Sequence, residues 1–582
     1  MNLASEEDDA GAIPQMEPNS QNFPKDPYKQ ESSDDAKRKK IKQLQKNRFQ
    51  ASVAPEAYIT QGMQNMNLAD TSGDTSPSRA TVPQDMRHYQ NPTLNYQENS
   101  SSDYSRVNVS NKNYDFSTSK PSDELNQEHV KRGMLEQYST NWLEVPPCPA
   151  IPYTSIDAGQ SSPKFIRPTM YRVPSNYALH KSAKVPFGLI IQPMADVSEN
   201  ESYIAKAEWG PEGPLRWNVW GGYVNPGTMI IESGTKARCN FCGSIFPIKD
   251  TKYSFMSNRS SIPELYYGSY EFDVDGKYVY YEARYPIYLF IIDVSNDAFQ
   301  NGLFLQVLEL LKNSLDSIPN PENTQIWILT VDEYVHWYNF PNDIEHGPKI
   351  HIACDVEDPF LPIPTSELML NLENDRQKID ILLERLSEIH TAEETKSKEL
   401  KLNLSSAISM AADILGCTGG RVLAFTSRLD NAGPGANSVT ENHKQYNTDS
   451  EKSLFTWSSS FYHEMAQAFL DSHITLDLFW CTFYPLNLVN PTEIWIRTGG
   501  DVYYYKQFND KNDGEKLHYD VFRVLTRNNA YDVAFRVRWS EGYSVVSYLG
   551  NFIKMSSIDF ELPSIDADKT IGVVLRSEGS IK

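Results

Sequence analysis

Cysteine is scarce in this chain. Six are spread over 582 residues, at 148, 239, 242, 354, 417 and 481, and only Cys239 and Cys242 form a close pair. That excludes a disulfide framework, and a reducing compartment is expected. Basic charge is short too. Against 76 Asp and Glu stand 54 Lys and Arg, a formal net charge of -22. Such a balance argues against a nucleic-acid partner, and an anionic surface would need a local basic patch to hold the chain. No apolar run approaches the roughly 20 residues that span a bilayer. The acidic start, from Met1 to Asp9, lacks the apolar core of a signal peptide, so a soluble cytoplasmic protein is expected. His336, His351, His390, His463 and His473 are scattered, and no nucleophile elbow, phosphate loop or paired-carboxylate motif is evident. No enzyme chemistry is therefore expected. Cys354, Cys417 and Cys481 sit in apolar stretches and read as core thiols.

Aliphatic residues are few in 1–145, where Ser, Asn, Gln, Asp and Tyr dominate. Such a segment cannot bury enough apolar surface to offset its ordering entropy, so a disordered tail is predicted. The basic run at 37–46 within it reads in two ways, as a segment that touches a membrane or partner or as a solvated charge run.

What is present begins with the stretch Tyr285-Pro-Ile-Tyr-Leu-Phe-Ile-Ile-Asp293. A short, nearly continuous apolar run of this kind reads as a strand buried on both faces. Leu303, Val307, Leu310, Leu311 and Leu315 follow at helical spacing, Pro319 and Pro321 stop the helix, and Ile326-Trp-Ile-Leu-Thr-Val331 returns as a strand. Further helices carry Ile379, Leu382, Leu383, Leu386 and Ile389, then Leu404, Ile408, Ala411 and Leu415, then Phe461, Met465 and Phe469. Strands are predicted at Arg421-Val-Leu-Ala-Phe-Thr426 and Ile474-Thr-Leu-Asp-Leu-Phe479. The alternation predicts an open, mostly parallel sheet over 286–525. Before it, proline-bounded runs over 146–207, such as Lys184-Val-Pro-Phe-Gly-Leu-Ile-Ile-Gln-Pro193, predict strands of a sandwich. After it, Val533-Ala-Phe-Arg-Val-Arg538 and Tyr543-Ser-Val-Val-Ser-Tyr548 alternate as half-buried strands within 526–582.

Two motifs could hold metal. Asp293-x-Ser295-x-Asp297 ends the first strand, where metal-dependent A domains bind a hard divalent cation through oxygen. The same residues also serve as loop and helix-cap residues. In the segment 208–250, Cys239-x-x-Cys242 followed by Gly243 is half of a zinc-ribbon-like knuckle, and a closed zinc site needs four ligands.

Several stretches together resemble the cargo-adaptor subunit of the COPII vesicle coat, the SEC twenty-four family. They are Arg167-Pro-Thr-Met with Pro174, Lys184-Val-Pro-Phe-Gly-Leu, Tyr223-Val-Asn-Pro226, Arg238-Cys-Asn-Phe-Cys-Gly243 and Tyr288-Leu-Phe-Ile-Ile-Asp-Val-Ser295. Leu315-Asp-Ser-Ile-Pro-Asn320, Asp358-Pro-Phe-Leu-Pro-Ile-Pro364, Thr418-Gly-Gly and Asn431-Ala-Gly-Pro-Gly-Ala436 extend it. The resemblance implies a multidomain α/β plus β chain: a tail, the first part of a β-sandwich, a zinc-finger-like knuckle, an A-domain-like parallel trunk, and the rest of the sandwich. It implies a sandwich left partial, and a chain without the family's helical and gelsolin-like domains.

For function, the resemblance implies a coat component of endoplasmic reticulum to Golgi transport. It would form a heterodimer with the GTPase-activating coat subunit and meet the coat's small GTPase indirectly. It would bind cargo and SNARE proteins at the endoplasmic reticulum membrane surface, peripheral on exit sites and COPII vesicles. Cys239 and Cys242 match the family's second zinc pair, while Trp217 and Trp220 stand where the first pair belongs. Indole supplies no metal lone pair, so the tryptophans are expected to pack where zinc would sit. Arg216 matches one arginine of a pocket for acidic sorting signals, although it could also be an ordinary surface charge. The pocket's second arginine is Gly221 here. The alternative function is a metal-dependent A-domain-type binding module.

Overall fold

The computed structural model describes residues 137–578, apart from 142–144, 150–151, 172, 174–176, 198–199, 202, 210–212, 218–220, 249–250, 254–258, 274–283, 341–346, 392–400, 437–442, 458, 484–487 and 555–558. Most of the predicted tail, the basic run at 37–46 and Trp220 lie outside the described residues. Order begins earlier than the composition predicts. Gln137–Ser139 pairs in parallel with Thr154–Ile156, because Tyr138 buries itself edge-on against Tyr153, ring centres 6.3 Å apart.

Two strands of the sandwich come next, β1 (Ile166–Pro168) and β2 (Gly188–Ile191). The knuckle follows as a three-stranded antiparallel meander of β3 (Met229–Ile231), β4 (Lys236–Arg238) and β5 (Ile245–Pro247).

The trunk then alternates strands and helices. It contains β6 (Ile287–Asp293), α1 (Leu303–Ser314), β7 (Gln325–Val331), β8 (Val335–Asn339), β9 (Lys349–Ala353), α2 (Arg376–Thr391) and α3 (Leu404–Leu415). It continues with β10 (Gly420–Thr426), α4 (Ser460–Asp471), β11 (Ile474–Thr482), α5 (Val489–Thr498), β12 (Val502–Lys506) and α6 (Asp510–Thr526). The sheet runs β9-β8-β7-β6-β10-β11-β12, parallel from β7 to β12, with β8 and β9 antiparallel at one edge.

All seven residues of β6 are buried. Because side chains alternate along a strand, Tyr288, Phe290 and Ile292 face a core built with α1, α2 and α6. Ile287, Leu289 and Ile291 face a second core built with α3, α4 and α5. Helices thus cover both faces, which is why β6 has no polar face. Each such buried side chain stabilises the fold by about 1.5–3 kcal/mol. The loop Asn431-Ala-Gly-Pro-Gly clamps the start of α3. Leu402 N donates to Asn431 Oδ1 at 2.8 Å and Ser405 N to Asp430 Oδ2 at 3.0 Å. A side chain at Gly433, φ +80°, would run into Asn403 Oδ1.

The chain returns to the sandwich after α6. Strands β13 (Asn529–Arg536), β14 (Tyr543–Leu549), β15 (Ile553–Lys554), β16 (Asp559–Asp566) and β17 (Ile571–Ser577) join it. One sheet is β13-β16-β15 and the other is β14-β17-β2-β1. The last strand therefore lies between β14 and a strand from far upstream, with Val573 opposite Leu189. Gly188 permits that approach, since a Cβ there would lie 2.3 Å from the Val573 carbonyl oxygen. Phe187, Ile191, Phe560, Ile571 and Val573 fill the core between the sheets.

One sequence reading is corrected. Only Cys481 of the three expected core thiols is buried, on β11. Cys354 and Cys417 are exposed, because one follows an edge strand and the other sits in the turn after α3.

Candidate functional site: an arginine cluster at the knuckle joint

Arg216 lies on the knuckle, joined to Tyr223 by an isolated antiparallel bridge. The turn between them is tight: Gly221 N donates to the Trp217 carbonyl at 2.7 Å, with Gly221 at φ +68°. The exposed Arg216 guanidinium lies over the Tyr223 ring, 4.6 Å from its centre, and donates to the Tyr223 hydroxyl. Tyr223 is braced in turn by Phe272, ring centres 5.4 Å apart.

The structure adds two arginines from the sandwich. Arg536 ends β13 and Arg538 lies two residues on, while Val537 between them is buried in the sandwich core. Period-two alternation therefore turns both arginines the same way. Arg538 Nη2 donates to the Gly221 carbonyl at 3.0 Å. The position where the resembled pocket carries its second arginine is thus approached in space by a guanidinium from another element. Burial lowers the pKa of Arg538, and the positive charges of Arg536 and Arg216 lower it further, against the opposing effect of Tyr223. A carboxylate meets an arginine fork bidentately. The Arg-Val-Arg pattern was visible in the sequence, but its approach to Gly221 depends on tertiary structure.

Beside the cluster sits the Cys239-x-x-Cys242 turn. Cys239 N donates to the Ser244 carbonyl at 2.9 Å, Gly243 N to the Cys239 carbonyl at 3.0 Å, and Phe241 N to Cys239 Sγ at 3.4 Å. Cys239 is buried and Cys242 exposed. The residues do not fit a zinc ion. Among the described residues no group of three or more His, Cys, Asp or Glu side chains is placed to hold a metal. Trp217, 1% exposed, instead fills the knuckle core with Cys239, Val224 and Phe246, its ring 4.4 Å edge-on from Phe246.

The second sequence motif lies at the carboxyl end of β6, where strand order reverses between β7 and β10. In open α/β sheets that is the usual place for a ligand. Here its first carboxylate is internally satisfied. Asp293 accepts from Ser295 N at 2.8 Å and from Ser427 N and Oγ at 2.8 and 2.6 Å. Burial pushes its carboxyl pKa up, against those hydrogen bonds. Asp297 faces Arg428, carboxylate oxygen to guanidinium nitrogen, at 3.5 Å.

A third polar cluster joins trunk to sandwich. Arg421 on β10, 1% exposed, donates to Asp477 on β11 at 2.5 Å and to Asp566 on β16 at 3.1 Å. Arg527 meets the same Asp566 at 2.7 Å. Burial opposes the Arg421 charge, but Asp477 and Asp566 outweigh it and raise its pKa.

A mostly parallel trunk sheet covered by helices, bearing a knuckle and a sandwich with arginines at their joint, defines a multidomain α/β plus β scaffold. Residues 283–525 match the Sec23/Sec24 trunk domain. The chain is 31% identical to protein transport protein SEC24 B of Arabidopsis thaliana over 455 residues, 76% of this chain and 41% of that protein. Human protein transport protein Sec24C is 29% identical over 451 residues, covering 75% of this chain and 41% of that one. The crystal structure of the human COPII-coat protein Sec24c superposes with a TM-score of 0.72 at 27% identity, covering 79% of this chain and 62% of that chain. The chain is a homologue of the Sec24 proteins, with a Sec23/Sec24 trunk and a Sec24-like fold of mixed α/β sheets. It spans about two fifths of the length of these two relatives.

Proposed function

We propose that the chain is a cargo adaptor of the COPII coat, acting in transport from the endoplasmic reticulum to the Golgi. The arginine cluster carries this reading. Arg216 on the knuckle and Arg538 from the sandwich meet at the Gly221 turn, and an arginine fork matches the carboxylates of an acidic sorting signal. The trunk would pair with the GTPase-activating coat subunit, which would connect it to the coat's small GTPase. The work would be binding and not catalysis, on cargo and SNARE proteins, in the cytoplasm at the surface of endoplasmic reticulum exit sites and COPII vesicles. The alternative reading, a metal-dependent A-domain module, is disfavoured by the Asp297–Arg428 pair and the satisfied Asp293 carboxylate.

Co-purification from cytosol, with divalent metal chelated, separates the two. Recovery of the GTPase-activating coat subunit supports the adaptor. Loss of all partners on chelation, restored by magnesium, would favour the metal-dependent module. Titration with an acidic signal peptide then tests the surface, and affinity unchanged by Arg216→Ala would count against its cargo role.

A further inference from the structure

The knuckle keeps its turn although the partners of a four-ligand metal site are not there. Trp217 occupies the interior, and the two sulfurs that remain differ sharply in access: Cys239 is 2% exposed and Cys242 is open to solvent. The turn between them is closed by the hydrogen bonds of Cys239 N to Ser244 O and of Gly243 N to Cys239 O. It needs the left-handed backbone of Gly243, φ +70°. Within it Phe241 N donates to Cys239 Sγ at 3.4 Å and Cys242 Sγ lies 3.0 Å from Ser244 Oγ. The remaining free cysteines of the described residues, at 148, 354, 417 and 481, lie far from this turn in sequence.

We propose that Cys239 and Cys242 form a vicinal dithiol, a modification site that closes into a disulfide by exchange with a low-molecular-weight disulfide such as oxidised glutathione. The exposed Cys242 sulfur, as thiolate, attacks one sulfur of the glutathione disulfide. A Cys242–glutathione bond forms and the first glutathione leaves as a thiol, taking up the proton that Cys242 gave to solvent. The Cys239 sulfur then attacks Cys242 Sγ from beneath. The mixed bond breaks, the second glutathione leaves with the proton from Cys239, and the Cys239–Cys242 bond is complete. Two electrons pass from the cysteines to glutathione, and no metal takes part.

The test uses the full chain, reduced and analysed for metal, then incubated with oxidised glutathione, blocked at free thiols and mapped by mass spectrometry. The expected result is no stoichiometric zinc, and a 239–242 peptide lighter by two hydrogens that dithiothreitol restores. Exposed Cys354 and Cys417 are internal controls and should hold glutathione adducts under the same conditions. Cys239→Ser should trap a stable glutathione adduct on Cys242, whereas Cys242→Ser should leave Cys239 unmodified. One zinc retained per chain would overturn the proposal. So would a Cys242 adduct that persists in the unsubstituted chain without ring closure, a readout that holds even if either variant misfolds.

Discussion

Two groups of arginines do opposite things in this molecule. Arg421 and Arg527 are buried between trunk and sandwich, each against carboxylates: Asp477 and Asp566 for the first, Asp566 and Asp568 for the second. Arg216, Arg536 and Arg538 gather at the knuckle joint, where the neighbours that shift Arg538 include two other arginines. The first group is neutralised and fixes the relative placement of β10, β11 and β16. The second brings the exposed Arg216 and the sandwich residue Arg538 to one glycine turn. Carboxylates hold the first joint, whereas at the second Arg216 meets the Tyr223 ring and hydroxyl and Arg538 the Gly221 carbonyl.

The largest expected effect breaks the first group. Asp477→Ala leaves Arg421 buried without its closest partner, and such losses cost about 3–5 kcal/mol. Urea denaturation should show it as a lower midpoint. Arg216→Ala should shift stability by less than about 1 kcal/mol in the same assay, because exposed charges contribute little. Equal losses for both would erase the distinction.

A buried pair of histidines gives the next effect. Thr330 and Tyr338 hydrogen-bond around His390, and Tyr338 hydroxyl lies 2.9 Å from His390 Nε2. His336 packs against it, ring centres 5.6 Å apart, with Asp332 3.8 Å beyond. Burial, with a further push from His336, lowers the His390 pKa from 6.5 to about 4. The unfolded chain takes up that proton near pH 6.5 and the folded chain does not, so stability is full above pH 6.5 and falls as pH drops toward 4. The loss at pH 4 should be roughly 3 kcal/mol. Denaturation across that range should flatten in His390→Gln, and an unchanged slope would contradict the assignment.

Smaller still is the metal comparison. Calorimetric titration with magnesium should give no heat of binding at the end of β6, since Arg428 already neutralises Asp297. Millimolar or tighter binding that disappears in Asp293→Ala would reverse that reading.

The trunk was legible because its apolar runs are long and its periods clean. The all-buried strand at Ile287–Asp293 and the stripe of Leu303, Val307, Leu310 and Leu311 leave little choice of structure. The antiparallel pair Val335–Asn339 and Lys349–Ala353 was harder to read, because His336, Trp337 and His351 blur the alternation and Trp337 stacks on His351 across the strands. The burial of Arg421 could not be read locally, because its partners Asp477 and Asp566 come from other strands. The candidate site was half legible. Arg216 could be named from its motif, while Arg536 and Arg538 lie more than 300 residues downstream and are brought near by the fold. Cys354 and Cys417 failed for the same reason, since apolar neighbours in sequence do not report burial.

The most direct measurement is a double-mutant cycle on Arg216→Ala and Arg538→Ala, read as affinity for an acidic signal peptide at low and physiological salt. Each substitution should weaken binding about tenfold, the two should couple because both face one carboxylate region, and added salt should weaken the unsubstituted protein most. Affinity in the double variant equal to that of the unsubstituted chain would contradict the account.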